Sequence, residues 1–328
     1  MDRKIINQPV TLISTLLAAL LASGCSDSST DTVETPAATP FSLNFQAVAG
    51  DEVVNCDGTY SGFGMQGHHS VSVSDLRFYV SNVRFYDQDN NEIEAEFSDN
   101  DFQLNHDQGF VGLIDLTSKS GGACEADEGE GTSRTNSVIS GEVMDTQISH
   151  ITFDIGVPQA VMKEVISTTS AEDAPSPLNE MHWSWASGYR HLVMNFAIED
   201  MQANQGQGFV HIGSRGCGDG GLLALENKSA CDFVNSPTVR LDNFDIFNER
   251  VTLDISQILA GLMFTAHNSG GHGEHSGSDD MTMSAPSVTC HSAPEDMQPD
   301  CGPIFSNLGL VADDGSASAA SNSVFSKQ

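Results

Sequence analysis

Basic residues are scarce in this chain. Lys and Arg together number 13 against 45 Asp and Glu in 328 residues, a formal net charge of −32. So acidic a surface repels phosphate backbones and anionic membrane surfaces, which argues against nucleic acid as a partner. It suits solubility in a salty medium, attraction of cations, or docking to a basic partner. Tryptophan is scarcer still: Trp183 and Trp185 are the only two, and they stand two positions apart. Cys-x-x-Cys is missing, which weighs against a zinc site, and with it the Cys-x-x-Cys-His of attached haem. Gly-x-Ser-x-Gly, His-Glu-x-x-His and a phosphate-binding loop are missing too. No enzyme constellation is legible, and the chain is not read as an enzyme. Apolar runs are short: Val10 to Ala22 falls below the ~20 residues that a membrane-crossing helix needs.

What is present at the start sets the compartment. Arg3 and Lys4 precede that apolar run, and Leu21-Ala22-Ser23-Gly24-Cys25 follows it. Residues 1–25 therefore read as a lipoprotein signal peptide ending in a lipobox, with Cys25 the lipid-modified residue. Ser26 after the Cys favours the outer membrane. The expected place is the bacterial cell envelope, facing the periplasm, with membrane contact through the lipid anchor only. Residues 26–40, rich in Ser, Thr, Asp, Pro and Ala, read as a flexible tether. Cys56, Cys124, Cys217, Cys231, Cys290 and Cys301 remain, an even number in an oxidising compartment, which reads as disulfides. Spacing suggests Cys217–Cys231 and Cys290–Cys301 as local loops and leaves Cys56–Cys124.

Beyond the tether the pattern is that of short strands. Phe41, Leu43 and Phe45 alternate with polar residues, as do Ile151, Phe153 and Ile155, then Leu192, Met194 and Phe196, then Val251, Leu253 and Ile255. Val71 and Val73 have one parity and Leu76, Phe78 and Val80 the other. That phase change predicts a β-bulge at Ser74-Asp75, with Asp75 and Arg77 on one face and able to pair. Val161 to Ile166 predicts a helical turn or two, and Ile258 to Met263 a short helix. Asp87-x-Asp89-x-Asn91 begins like a calcium loop, but Glu92 stands where the turn needs Gly, so an Asx-rich hairpin turn is expected. The fold class expected is all-β: one antiparallel β-sandwich over residues 41–311 with long loops and a short C-terminal helix, then a disordered tail, 312–328.

Chemistry concentrates between Leu178 and Cys217. An extended Met181-His182-Trp183-Ser184-Trp185 would put Met181, Trp183 and Trp185 on one face. His211 sits on the face of its strand opposite Val210 and Ile212, where a neutral imidazole is a plausible ligand. His267, His272, His275, Met281 and Met283 lie within 267–283 among Gly, Ser and Asp, a segment that reads as a linker or as a metal-collecting loop.

Several landmarks stand in order: Asn55-Cys56-Asp57, Ser74-Asp75-Leu76-Arg77-Phe78-Tyr79-Val80-Ser81-Asn82-Val83, Thr135-Asn136, Gly156-Val157-Pro158, Pro177-Leu178-Asn179, Met181-x-Trp183-x-Trp185, Gly188-Tyr189, and His211-x-Gly213-Ser214 before Cys217. Together, from about Phe41 to Val311, they resemble the metallo-mystery pair system four-Cys motif family, whose best-known members are methanobactin-associated MbnP-type proteins. The resemblance implies extracytoplasmic binding of copper, as Cu(I), in copper homeostasis. It also implies a partner, a di-haem oxidase of the MauG or cytochrome c peroxidase-like type, that oxidises the first Trp of the pair to kynurenine. On this chain the implied ligands are His211 and Trp183 as kynurenine. The opened indole supplies an aniline nitrogen and a ketone, whereas intact Trp offers only a donor N–H. Family members carry Asn-His soon after Gly-Val-Pro, but this chain reads Gln159-Ala160-Val161-Met162-Lys163. His182 also replaces the usual aromatic residue between Met and Trp. The second ligand is therefore open among Met181, Met162, His182, His191 and the 267–283 segment, or is absent. The alternative is an acidic surface lipoprotein, an interaction or adhesion sandwich without metal. A copper oxidoreductase would further require open coordination positions.

Overall fold

The computed structural model describes residues 38–119, 121–126, 133–170, 173–184, 188–218, 228–264, 285–311, 315–316 and 322–328. The leader with Cys25, nearly all of the tether, Trp185 and the 267–283 segment lie outside them. The described residues form a sandwich of two mixed sheets. One runs Phe325–Lys327, Val251–Asp254, Thr39–Ala49, Val138–Val143, Ala95–Phe97. The larger runs Thr238–Asp242, His150–Ile155, His69–Tyr86, Gly188–Asp200, Gln205–Gly213, Ser287–Cys290, with further short strands attached. Most neighbours are antiparallel. Thr39–Ala49 with Val251–Asp254, and Gln205–Gly213 with Ser287–Cys290, are parallel.

Alternation explains the layers. Phe41, Leu43, Phe45 and Ala47 point into the sandwich from one sheet, while Leu76, Phe78, Val80, Leu192, Met194, Phe196, Val210 and Ile212 meet them from the other. Rings lock edge to face: Phe45 stands 5.7 Å from Phe78 and 5.8 Å from Phe153, and Phe78 stands 5.8 Å from Phe325. The bulge falls where the parity changes: Asn195 pairs with Asp75 but Phe196 with Val73, so Ser74 is the extra residue. Everything N-terminal to it is thereby re-phased, and both halves of one long strand keep their apolar side inward.

The residues of opposite parity, Asp75, Arg77, Tyr79, Val193, Asn195 and His211, face outward from the large sheet. They are nonetheless buried. A second, smaller core covers part of this face, built from Val161, Met162, Val165 and Ile166 of the helix Gln159–Thr168 and from Leu178, Met181 and Tyr189. Disulfides join Cys56 to Cys124, Cys217 to Cys231 and Cys290 to Cys301. Asp87 closes its turn on itself, its carboxylate accepting from the N–H groups of Asp89 and Asn91 and from the Asn91 amide, so that stretch is an Asx turn.

Two boundaries differ from expectation. The short helix spans Ile255–Ile258, earlier than expected, because Asp254 caps it there by accepting from Ser256 N–H at 2.8 Å. A second, Cys301–Asn307, follows the last disulfide loop. Structure also continues past residue 311: Phe325–Lys327 pairs with Val251–Asp254, and Val324 and Phe325 are buried. That pair of apolar residues is the reason the tail returns to the sheet. Among the described residues no helix is long and apolar enough to cross a membrane.

Candidate metal centre

Three rings meet on the outer face of the large sheet, toward its Ser287–Cys290 edge. His211 and His291 stand 4.7 Å apart between centroids, with Trp183 6.5 Å from the first and 6.2 Å from the second. Each comes from a different element. His211 lies opposite Val193, which lies opposite Arg77, so one row crosses three strands. Phe209 pairs with Thr289 and Val210 with Cys290, so parallel register delivers His291 beside His211. Trp183 comes from above, on the short strand His182–Ser184 that hairpins onto Gly188–Asp200.

The strands that carry the two histidines are fastened to each other. Ser292 Oγ accepts from Gly213 N–H at 2.8 Å and donates to His211 O at 3.0 Å. Arg215 donates to Ser292 O at 2.7 Å, and His291 N–H donates to Gln298 Oε1 at 2.6 Å. Cys290, next to His291, is bonded to Cys301. Gly213 matters for room: a Cβ there would lie 3.2 Å from Trp183 Cε3 and 2.6 Å from Tyr189 O. Lack of a side chain at 213 is what lets the indole lie over the strand two residues from His211.

Protonation suits metal binding. His211 Nε2–H donates to Asn195 Oδ1 at 2.7 Å, since an amide oxygen can only accept, and this leaves Nδ1 with its lone pair. Burial, then His291, Arg190 and Arg77, push His211 down to about 3. Burial and Arg190 lower His291 as well. Both imidazoles are neutral near neutral pH, the form that binds metal. Two neutral imidazoles, one oriented by an outer hydrogen bond, form a donor set that fits a soft or borderline ion. Among the described residues no group of three or more His, Cys, Asp or Glu is placed to hold a metal.

The remaining sequence candidates lie elsewhere. Met181 adopts a left-handed φ of 35° and is buried in the smaller core with Leu178 and Tyr189. That φ breaks simple alternation, so Met181 and Trp183 do not follow from one extended face. Met162 packs against the hairpin turn, its sulfur filling the space where a Gly188 Cβ would be, 2.3 Å away. His182 meets Tyr189 edge to face at 5.5 Å. His191 is fully buried with both nitrogens engaged, Nδ1 to Asn235 O at 3.1 Å and Nε2 to Ser214 Oγ at 3.2 Å. His291 was not among the sequence candidates. Its only local signal is Val288-Thr289-Cys290, a brief alternation that runs into it.

Fold and site together define an all-β sandwich carrying a His–His–Trp cluster on the outside of one sheet. The MbnP family model matches residues 38–276, most of the chain, and the chain belongs to that family. The solved structure of MbnP from Methylosinus trichosporium superposes with a TM-score of 0.65, over 89% of this chain and 98% of that one. At 22% identity this shows a shared fold. No curated protein matches. The family match ends before His291, so the second imidazole of the cluster is assigned by the structure of this chain.

Proposed function

We propose that this is an extracytoplasmic, lipid-anchored copper-binding protein rather than an enzyme, acting in copper homeostasis. His211 and His291 hold Cu(I), together with the group produced from Trp183. The observation that carries the reading is the meeting of those three rings on one face, from three separate elements. Imidazole favours copper over hard ions, and a third donor is wanted where the chain supplies only an indole. Kynurenine formation meets that want. The indole C2–C3 bond breaks as an oxygen atom from water is added to each of its two carbons, four electrons and four protons passing to the oxidant. Hydrolysis of the resulting N-formyl group by a further water releases C2 as formate. The ring nitrogen becomes an aniline beside a ketone. The oxidant is supplied by a partner, a di-haem oxidase of the MauG type. When bound, copper would be delivered or stored rather than used in turnover.

The test is expression with and without such an oxidase. Peptide mass spectrometry should find kynurenine at Trp183, not Trp185, only in the co-expressed protein, and metal analysis should find copper retained there. His211→Ala and His291→Ala should each lose metal while Trp183 is still oxidised. Tight copper binding with Trp183 intact in the co-expressed protein would sink the mechanism, and would return the 267–283 segment as the binding site. The anchor is tested separately, by incorporation of labelled fatty acid that Cys25→Ser abolishes.

A further inference from the structure

Trp183 sits on a strand of three residues, too short to hold its own place against a sheet. What fixes it lies just upstream. The Glu180 carboxylate, three residues earlier, accepts from Arg77 Nη1 at 3.3 Å and from Arg134 Nη2 at 3.2 Å. Its side chain is 11% exposed. Arg77 is itself immobile: Asp75 grips it through Nε at 2.8 Å and Nη2 at 2.6 Å, a fork that fixes the guanidinium plane. Arg77 lies in the same cross-sheet row as His211, one strand removed through Val193. Tyr79, two residues on, donates its hydroxyl to Pro177 O at 2.9 Å and Glu180 O at 3.1 Å. Arg190 N–H donates to Met181 O at 2.9 Å.

These contacts form one path from the sheet to the indole. We propose that Glu180, latched onto the Asp75–Arg77 fork and onto Arg134, is the positioning residue that seats Trp183 over the His211–His291 pair. This rests on the reading of Trp183 as part of the metal centre, but the seat exists in the metal-free, unmodified protein and is measured there. Glu180 touches none of the three rings' chemistry; it sets where the third ring stands. A latch made of charge acts over a fixed distance, so a shorter acid should work in part and a neutral isostere poorly. Two arginines are needed because Arg77 is already shared with Asp75, and Arg134 supplies the second cation on Glu180.

The experiment uses full-length protein labelled with 5-fluorotryptophan in a Trp185→Phe background, so that fluorine NMR reports Trp183 alone. The unsubstituted latch should give one sharp resonance. Glu180→Gln should broaden it or add a second one nearer the shift of free fluorotryptophan, Arg134→Gln should do so more weakly, and Glu180→Asp should restore much of the original line. Unfolding monitored by far-UV circular dichroism is the control that each variant is folded. If Glu180→Ala does not fold, the isosteric Glu180→Gln and the half-exposed Arg134 carry the test. A resonance unchanged in both Gln variants overturns the proposal. In oxidase-treated protein, Glu180→Gln should also weaken Cu(I) affinity about tenfold, as loss of supporting partners typically does. Absent copper binding in every variant would count against the metal reading, while the fluorine line would still decide the latch.

Discussion

Acid should unfold this protein partly through His191. Its ring is fully buried against the Gly156 backbone, where a Cβ on Gly156 would lie 2.8 Å from it. Asn235 O accepts from Nδ1, so Nδ1 carries the hydrogen and Nε2 keeps a lone pair toward Ser214. Burial pushes its pKa from 6.5 down to about 4, with the bond to Asn235 opposing. A depressed histidine stabilises the fold fully above its unfolded value and loses that contribution as pH falls through the folded value. The window here is 6.5 to about 4. Each pH unit between the two values is worth about 1.4 kcal/mol, so the loss between about pH 7 and about pH 4 is about 3 kcal/mol. His191→Gln keeps a donor for Asn235 O but cannot be protonated. Urea unfolding at both pH values should therefore show the natural protein losing about 3 kcal/mol more than the variant. Using the difference cancels the carboxylates, which titrate in both. Superimposable pH profiles, or an imidazole titration midpoint near the ordinary value, would refute the reasoning and reopen His191 as a ligand.

Other perturbations follow from the same geometry. Cys217→Ser opens a loop of sequence separation 14 just beyond the His211 strand, and should cost about 3 kcal/mol in thermal or urea unfolding along with copper affinity; a non-reducing peptide map with Cys217 joined elsewhere would contradict it. Gly213→Ala puts a methyl where the indole lies, so Trp183 should move off His211 and copper retention should fall, read by metal analysis of oxidase-treated protein. Asn195→Leu removes the acceptor from His211 Nε2 and should weaken copper binding more than it weakens the fold, as chelator competition against urea unfolding will show. Asp115 is held up to about 7 by burial, with Thr117 N–H and Arg77 opposing. Being raised, it stabilises fully below its ordinary 3.8 and loses that as pH rises through about 7, so Asp115→Asn should flatten the decline in stability between about pH 4 and about pH 7, read by urea unfolding across that range.

Much of the frame was legible because alternation is a local signal. The parity change at Ser74-Asp75 announced the bulge, and with it the pairing of Asp75 and Arg77, since two residues on one strand need no knowledge of the rest of the chain. His211 was legible for the same reason, lying between Val210 and Ile212. Met181 was misleading: extended alternation puts it with Trp183, but a positive φ at Met181 re-aims the strand, and no residue type there signals it. Phe325 sat in a stretch of Ser and Ala too short for any period to be read.

His291 was illegible because its meaning is a matter of register between distant strands. The Ser287–Cys290 strand follows a segment without periodicity and joins the sheet in parallel at its edge, a pairing that no hairpin turn encodes. That edge position has a consequence for how the site works. An edge strand is the least secure place in a sheet. Here the Cys290–Cys301 bond, the Ser292 bridges and Arg215 hold it, all within a few residues of the imidazole. The inner imidazole, His211, is buried and oriented by Asn195. The edge imidazole, His291, is only partly buried. On the proposed copper-binding reading, an ion arriving from solvent would meet His291 first and then His211, with the group made from Trp183 completing the set from above. On that reading one imidazole gives access and the other gives geometry, and the fastening concentrated on the edge strand is what such a division of labour requires.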